Sequence, residues 1–105
     1  MACRVIADLT FKEGWCEKMR AMFEDEKNGL NLTANFKGCI DIDMSIDMDN
    51  PNRMILTETW EEREHHSKYM EFRQTEGPEG VVAQILDNLS QEPAFSWSEV
   101  VYKGQ

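Results

Sequence analysis

Between Glu58 and Arg73 the chain gathers, among other charges, the Glu58 carboxylate, two imidazoles, a phenol, the Arg73 guanidinium and the large rings of Trp60 and Phe72. Glu58 and Trp60 are two positions apart and share one face of a strand, whereas His65, Tyr69 and Phe72 at i, i+4 and i+7 share one face of a helix. His66, Met70 and Arg73 form the adjoining strip. An imidazole titrates close to neutrality and suits proton abstraction, a phenol can donate to a developing oxyanion, and a guanidinium can anchor an anionic ligand. His65, Tyr69 and Glu58 are therefore the expected catalytic group. Trp60, His66, Phe72 and Arg73 are the expected substrate-binding side chains around it. Each has a structural reading as well: Trp60 as a core plug, Glu58 as a strand-rim group, Arg73 as a surface charge.

These residues need a sheet and helices to hold them. Cys3, Val5, Ala7 and Leu9 alternate as one strand face until Lys12-Glu13-Gly14 breaks the pattern. Trp15, Met19, Met22, Phe23 and Glu26 fall at helical spacing, with Asn28-Gly29 as the stop. From Cys39 to Asp49, Ile40, Ile42, Met44, Ile46 and Met48 alternate with Asp41, Asp43, Ser45, Asp47 and Asp49, which predicts a long strand with one face buried. Asp49-Asn50-Pro51-Asn52 predicts a hairpin turn into a third strand, Arg53 to Trp60. A helix then runs to Gly77-Pro78, a second amphipathic segment carries Val81, Val82, Ile85, Leu86 and Leu89, and Ala94 to Tyr102 reads as the last strand.

The order β-α-β-β-α(α)-β is that of an α+β, ferredoxin-like fold: a four-stranded antiparallel sheet with its helices on one face. The uncovered face predicts pairing of two copies into a homodimer. Asp41, Asp43, Asp47 and Asp49 make that face polar, which opposes such closure.

The chain has 105 residues and a formal charge of −9, enough for one domain spanning 1–105. Without a basic stripe, no nucleic-acid partner is expected. No apolar run reaches membrane-spanning length and the N-terminus lacks a signal-like segment, so no membrane partner and a cytoplasmic location are expected. Cys3, Cys16 and Cys39 match neither a metal knuckle nor a disulfide framework. Alternate residues of a strand diverge, so the aspartates and the two histidines are not expected to form a metal site.

Lys37-Gly38-Cys39-Ile40, Asp49-Asn50-Pro51-Asn52 and Thr57-Glu58-Thr59-Trp60-Glu61 together resemble the antibiotic biosynthesis monooxygenase family, over about Arg4 to Tyr102. The resemblance implies ferredoxin-like units pairing into a dimeric α+β barrel. It also implies cofactor-independent oxidation of a small aromatic, polyketide- or quinol-like substrate held between sheet and helices, with no cofactor. The alternative is a non-catalytic small-molecule-binding or dimeric interaction module of the same fold. Many members of that family carry His nine residues after the tryptophan, where this chain has Tyr69, and its own histidines stand five and six residues on. The haem-degrading branch has Asn on the first strand, Trp at the position of Tyr69 and His ten residues later. Ala7 or Asp8, Tyr69 and Glu79 stand there instead, so haem degradation is not expected.

Overall fold

Alternating burial at the N-terminus identifies the strand around which everything else is built. A computed structural model describes residues 1–104. The elements are β1 (Cys3–Thr10), α1 (Trp15–Phe23), α2 (Leu30–Ala34), β2 (Cys39–Ile46), β3 (Arg53–Trp60), α3 (Arg63–Thr75), α4 (Val81–Asp87) and β4 (Ala94–Glu99). The sheet order is β2-β3-β1-β4, antiparallel throughout, which is the expected ferredoxin-like α+β arrangement. Cys3, Val5, Ala7 and Leu9 of β1 turn inward under the helices and are all buried.

Register places the chemistry. Ile42, Glu58, Val5 and Trp97 form one cross-strand row on the helix-covered face. Strands lie about 4.8 Å apart, so Glu58 and Trp97 stand about 10 Å from each other with only the short Val5 between them. That interval is where α3 lowers His66.

The buried line of α3 is His66, Tyr69 and Arg73, running between the two strips anticipated from spacing. Trp60, with no exposed surface, packs at 5.3 Å from the Tyr69 ring and edge-on to Phe36. One core cluster joins Ala7, Leu9, Phe11, Cys16, Met19, Phe23, Met54 and Leu56, and a second joins Cys3, Val5, Trp60 and Tyr69.

Four expectations about the elements need correction. First, β2 stops at Ile46, because Asp47 turns its carboxylate onto the Asp49 amide and Met48 is left fully exposed. A register shift between Cys39 and Asp41 also puts Ile40 half out of the core. Second, the acidic face is smaller than the alternation suggests, since Asp47 and Asp49 lie in the turn. Arg53 on the open face bonds both Asp8 oxygens, at 2.9 and 2.6 Å, and Asp47 at 2.9 Å. Third, α1 ends at Phe23 because Glu24 to Lys27 offers nothing to bury, and the five residues of α2 follow, too few to show a period. Fourth, β4 ends at Glu99, opposite Cys3 at the start of β1, and Val101 and Tyr102 run past it, exposed.

Candidate active site

A cavity of about 120 Å³ lies where the two core clusters meet, roofed by α3 and α4 and floored by β1 and β3. Its walls are aliphatic and aromatic: Leu56, Phe23, Met70, Val81, Ile85 and Phe95 are representative. Four side chains with polar atoms reach it, Glu58, His66, Tyr69 and Arg73.

Glu58 is buried at an inward position of β3, and Trp60 two residues on donates its indole N–H to Glu58 Oε1 at 2.9 Å. Burial pushes the Glu58 carboxyl above its ordinary value, opposed by the Trp60 bond and by the charge of Arg73. His66 Nε2 faces the same oxygen at 3.9 Å. Burial lowers the His66 imidazole, and neighbouring Arg63 adds to the effect. The raised carboxyl and the lowered imidazole thus stand side by side, each shifted chiefly by burial. Both groups have been moved toward their neutral forms in an apolar chamber, an environment that tunes acid/base chemistry.

Tyr69 and Arg73 reach the cavity but turn their polar atoms to the protein. Arg73 Nε donates to the Tyr69 hydroxyl at 2.7 Å, and its Nη atoms donate to the carbonyls of Asn28 and Gly29 at 3.2 and 2.9 Å and to Thr33 Oγ1 at 3.1 Å. The Thr33 and Tyr69 hydroxyls are hydrogen-bonded to each other. Burial is the main influence on Tyr69 and raises its phenol. Arg73 is thus buried and bound to the α1–α2 segment, where a surface charge is the ordinary reading of such a residue.

The remaining expected residues lie off the cavity. His65 points the other way round the helix, its ring against Gly38, and its Nδ1 is buried with no hydrogen-bond partner among the described residues. Gly38 has φ +92° and no room for a side chain beside that ring, so glycine is required on both counts. Phe72 packs on Phe36 with ring centroids 5.3 Å apart. Trp60 acts on the cavity only through Glu58. The structure therefore brings together Glu58, His66, Tyr69 and Arg73, and sets His65, Phe72 and Trp60 around them. Spacing alone did not reveal Thr33, in an unforeseen helix, or Trp97, which donates to His66 Nδ1 at 3.2 Å. The alternation of Phe95 and Trp97 was the available signal for the latter.

The three cysteines are free. Burial, with Glu58 and Asp41 nearby, pushes the Cys39 thiol to about 11, and burial also raises Cys16. Both are held as thiols. Among the described residues no three His, Cys, Asp or Glu side chains gather as a metal-binding group, and no helix is long and apolar enough to cross a membrane.

Solved structures share this architecture. One, described as an antibiotic biosynthesis monooxygenase, matches with TM-score 0.78 at 18% identity over 95% of this chain and 99% of its own. Rv0793 of Mycobacterium tuberculosis matches with TM-score 0.79 at 18% identity over 100% of each chain. A conserved protein of Methanosarcina mazei Go1 matches with TM-score 0.77 at 16% identity, over 93% of this chain and 91% of that one. At such identities the likeness establishes the fold. No curated protein matches the sequence. The family model for antibiotic biosynthesis monooxygenases matches residues 3–76, from β1 through α3 and so including Glu58, His66 and Tyr69. The chain belongs to the antibiotic biosynthesis monooxygenase family.

Proposed function

We propose that this protein is a cofactor-independent monooxygenase acting on a single-ring phenol or quinol, with Glu58 and His66 as its acid/base pair. The observation that carries the reading is the buried Glu58–His66 pair opening onto an apolar cavity. A phenolic substrate there loses its proton to the pair, and the electron-rich anion reacts with dioxygen. The apolar walls exclude water, which strengthens each remaining electrostatic interaction. Size selects the ring count. An apolar cavity of about 150 Å³ accommodates benzene, and drug-sized ligands need roughly 300 Å³ or more, so about 120 Å³ suits one ring and not three.

Tyr69 serves in this proposal as a wall, since its hydroxyl is engaged by Arg73 and Thr33. The whole chain, residues 1–105, is taken as one catalytic domain. Two copies pair through the open sheet face into a barrel: Ile6 and Ile55 give that face an apolar centre, and Arg53 pairs with Asp8 on it and with Asp47 at its edge, leaving one net negative charge among the three. A reducing compartment such as the cytoplasm suits its three unpaired thiols.

Oxygen-electrode assays test the reading. Uptake is expected with single-ring hydroquinones and little or none with tricyclic anthrones, and Tyr69→Phe is expected to keep most of the activity. Absence of uptake with every hydroquinone would leave a binding module of the same fold. Light scattering on the same preparation is expected to report twice the monomer mass, and a monomer at micromolar concentration would sink the barrel.

A further inference from the structure

His66 has a second side. Away from the cavity its ring borders an open groove between α3 and β4, shared with Arg63, Ser67, Glu71, Gln74 and Trp97. The Trp97 indole stands edge-on to the imidazole, with centroids 6.1 Å apart and planes at 62°, and its N–H meets Nδ1 at 3.2 Å. The Arg63 guanidinium stacks on the Trp97 ring, 5.1 Å from its centre, and braces it. An indole nitrogen only donates. Nδ1 must therefore present its lone pair, and a neutral His66 carries its proton on Nε2, the atom that faces Glu58.

We propose that Trp97 is the positioning residue of the pair: by holding His66 in the Nε2–H tautomer it makes the imidazole a hydrogen-bond donor and leaves Glu58 as the base. This rests on the acid/base reading of the same cavity. The substrate proton passes to the Glu58 carboxylate, which becomes the acid, while Nε2–H donates to the phenolate oxygen and keeps its own proton. A neutral imidazole serving as such a donor needs its charged form suppressed, and burial beside Arg63 does that. Two indoles thus set the two halves, Trp60 holding Glu58 and Trp97 holding His66. The groups that face His66 are Glu58 from β3, Arg63 and Tyr69 from its own helix, Glu71 of that same helix on the shared groove, and uncharged Trp97 from β4.

Trp97→Phe tests this, because it keeps an aromatic ring at a half-exposed position while removing the indole N–H. The readout is imidazole nitrogen NMR. The chain has two histidines, so a His65→Gln background isolates the His66 signals. At pH 8 the parent is expected to show a bare Nδ1 and a protonated Nε2. Trp97→Phe is expected to move both nitrogens toward the averaged values of a tautomer mixture, raise the His66 midpoint by roughly half a unit to one unit, and lower kcat roughly tenfold with KM nearly unchanged. A protonated Nδ1 in the parent, or identical spectra for parent and variant, overturns the assignment. If the spectra behave as expected while the parent consumes no oxygen with any phenol, the tautomer assignment stands and the monooxygenase reading falls.

Discussion

Replacing Glu58 by Gln is expected to lower turnover of a phenolic substrate about 10²- to 10⁴-fold, with substrate binding largely kept, because the amide is near-isosteric but takes no proton. His66→Ala is expected to lose a comparable factor, and the double variant little more than either single one. Groups that act as a unit are not additive. His65→Ala, by contrast, is expected to keep near-parental turnover, since that ring lies against Gly38 and off the cavity. Steady-state kinetics on the four variants decides the matter. Equal losses at His65 and His66 would mean that α3 presents a different face to the substrate.

The same pair gives the protein a pH signature. Glu58 has a folded value above its ordinary 4.5, so its contribution to stability is complete below 4.5 and is lost as pH rises through the folded value. His66 has a folded value below its ordinary 6.5, so its contribution is complete above 6.5 and is lost as pH falls through the folded value. Between 4.5 and 6.5 the two slopes oppose each other. On the alkaline side Glu58→Gln removes the Glu58 slope. Its stability relative to the parent is therefore expected to rise from pH 3 to pH 8, by about 1.4 kcal/mol for each unit by which Glu58 is raised. Urea titrations at the two pH values measure this. Activity should climb over the same range as Glu58 ionises beneath Arg73, Trp60 and His66.

How far the sequence discloses this site depends on the distance over which each feature is set. Glu58 was legible because a period of two is local: a carboxylate at an inward position among Met54, Leu56 and Trp60 stands out in the chain itself. The fold order was legible for the same reason, from alternation in β1 and β3 and the change of period at Glu61. The choice between His65 and His66 was not. They sit 100° apart on a helix whose two candidate strips hold similar apolar mass, Phe72 on one and Met70 on the other. What selects the rotation is non-local: Gly38, on the loop before β2, has no Cβ and receives the His65 ring, which turns His66 inward. Alternation placed Trp97 on a strand face, but its partner was out of reach for a similar reason. Its meeting with His66 depends on β4 pairing with β1 so that Trp97 falls opposite Val5, a contact between opposite ends of the chain. Asp47 shows the reverse error, where an alternating pattern ran on through a residue that the turn had already claimed.

Arg73→Met is expected to destabilise the fold by about 3 kcal/mol, the largest single loss outside the apolar core, because the guanidinium makes three side-chain hydrogen bonds from α3 to the α1–α2 segment and also donates to Tyr69, whose own bond to Thr33 is the other link between them. Methionine fills much of the volume but leaves the Gly29 carbonyl and the Thr33 and Tyr69 hydroxyls short of a donor, in places water reaches poorly. The cost lies chiefly in those orphaned acceptors, which gives the argument a sharper form. Adding Thr33→Val and Tyr69→Phe to Arg73→Met removes two of the acceptors and is expected to recover roughly a third to a half of the loss, since deleting both partners of a buried bond costs far less than deleting one. In a chain of this size 3 kcal/mol corresponds to a fall in Tm of more than about 10 °C, readily followed by circular dichroism. Arg73→Lys is expected to recover little, because a single ammonium cannot reach Tyr69, Thr33 and two carbonyls as the planar fork does. Since Arg73 also carries the positive charge that restrains Glu58, its loss drives that carboxyl further up. The variant's activity, assayed below its lowered Tm, should therefore need a higher pH than the parent's. A destabilised Arg73→Met with an unmoved pH profile would make Arg73 a clamp and nothing more.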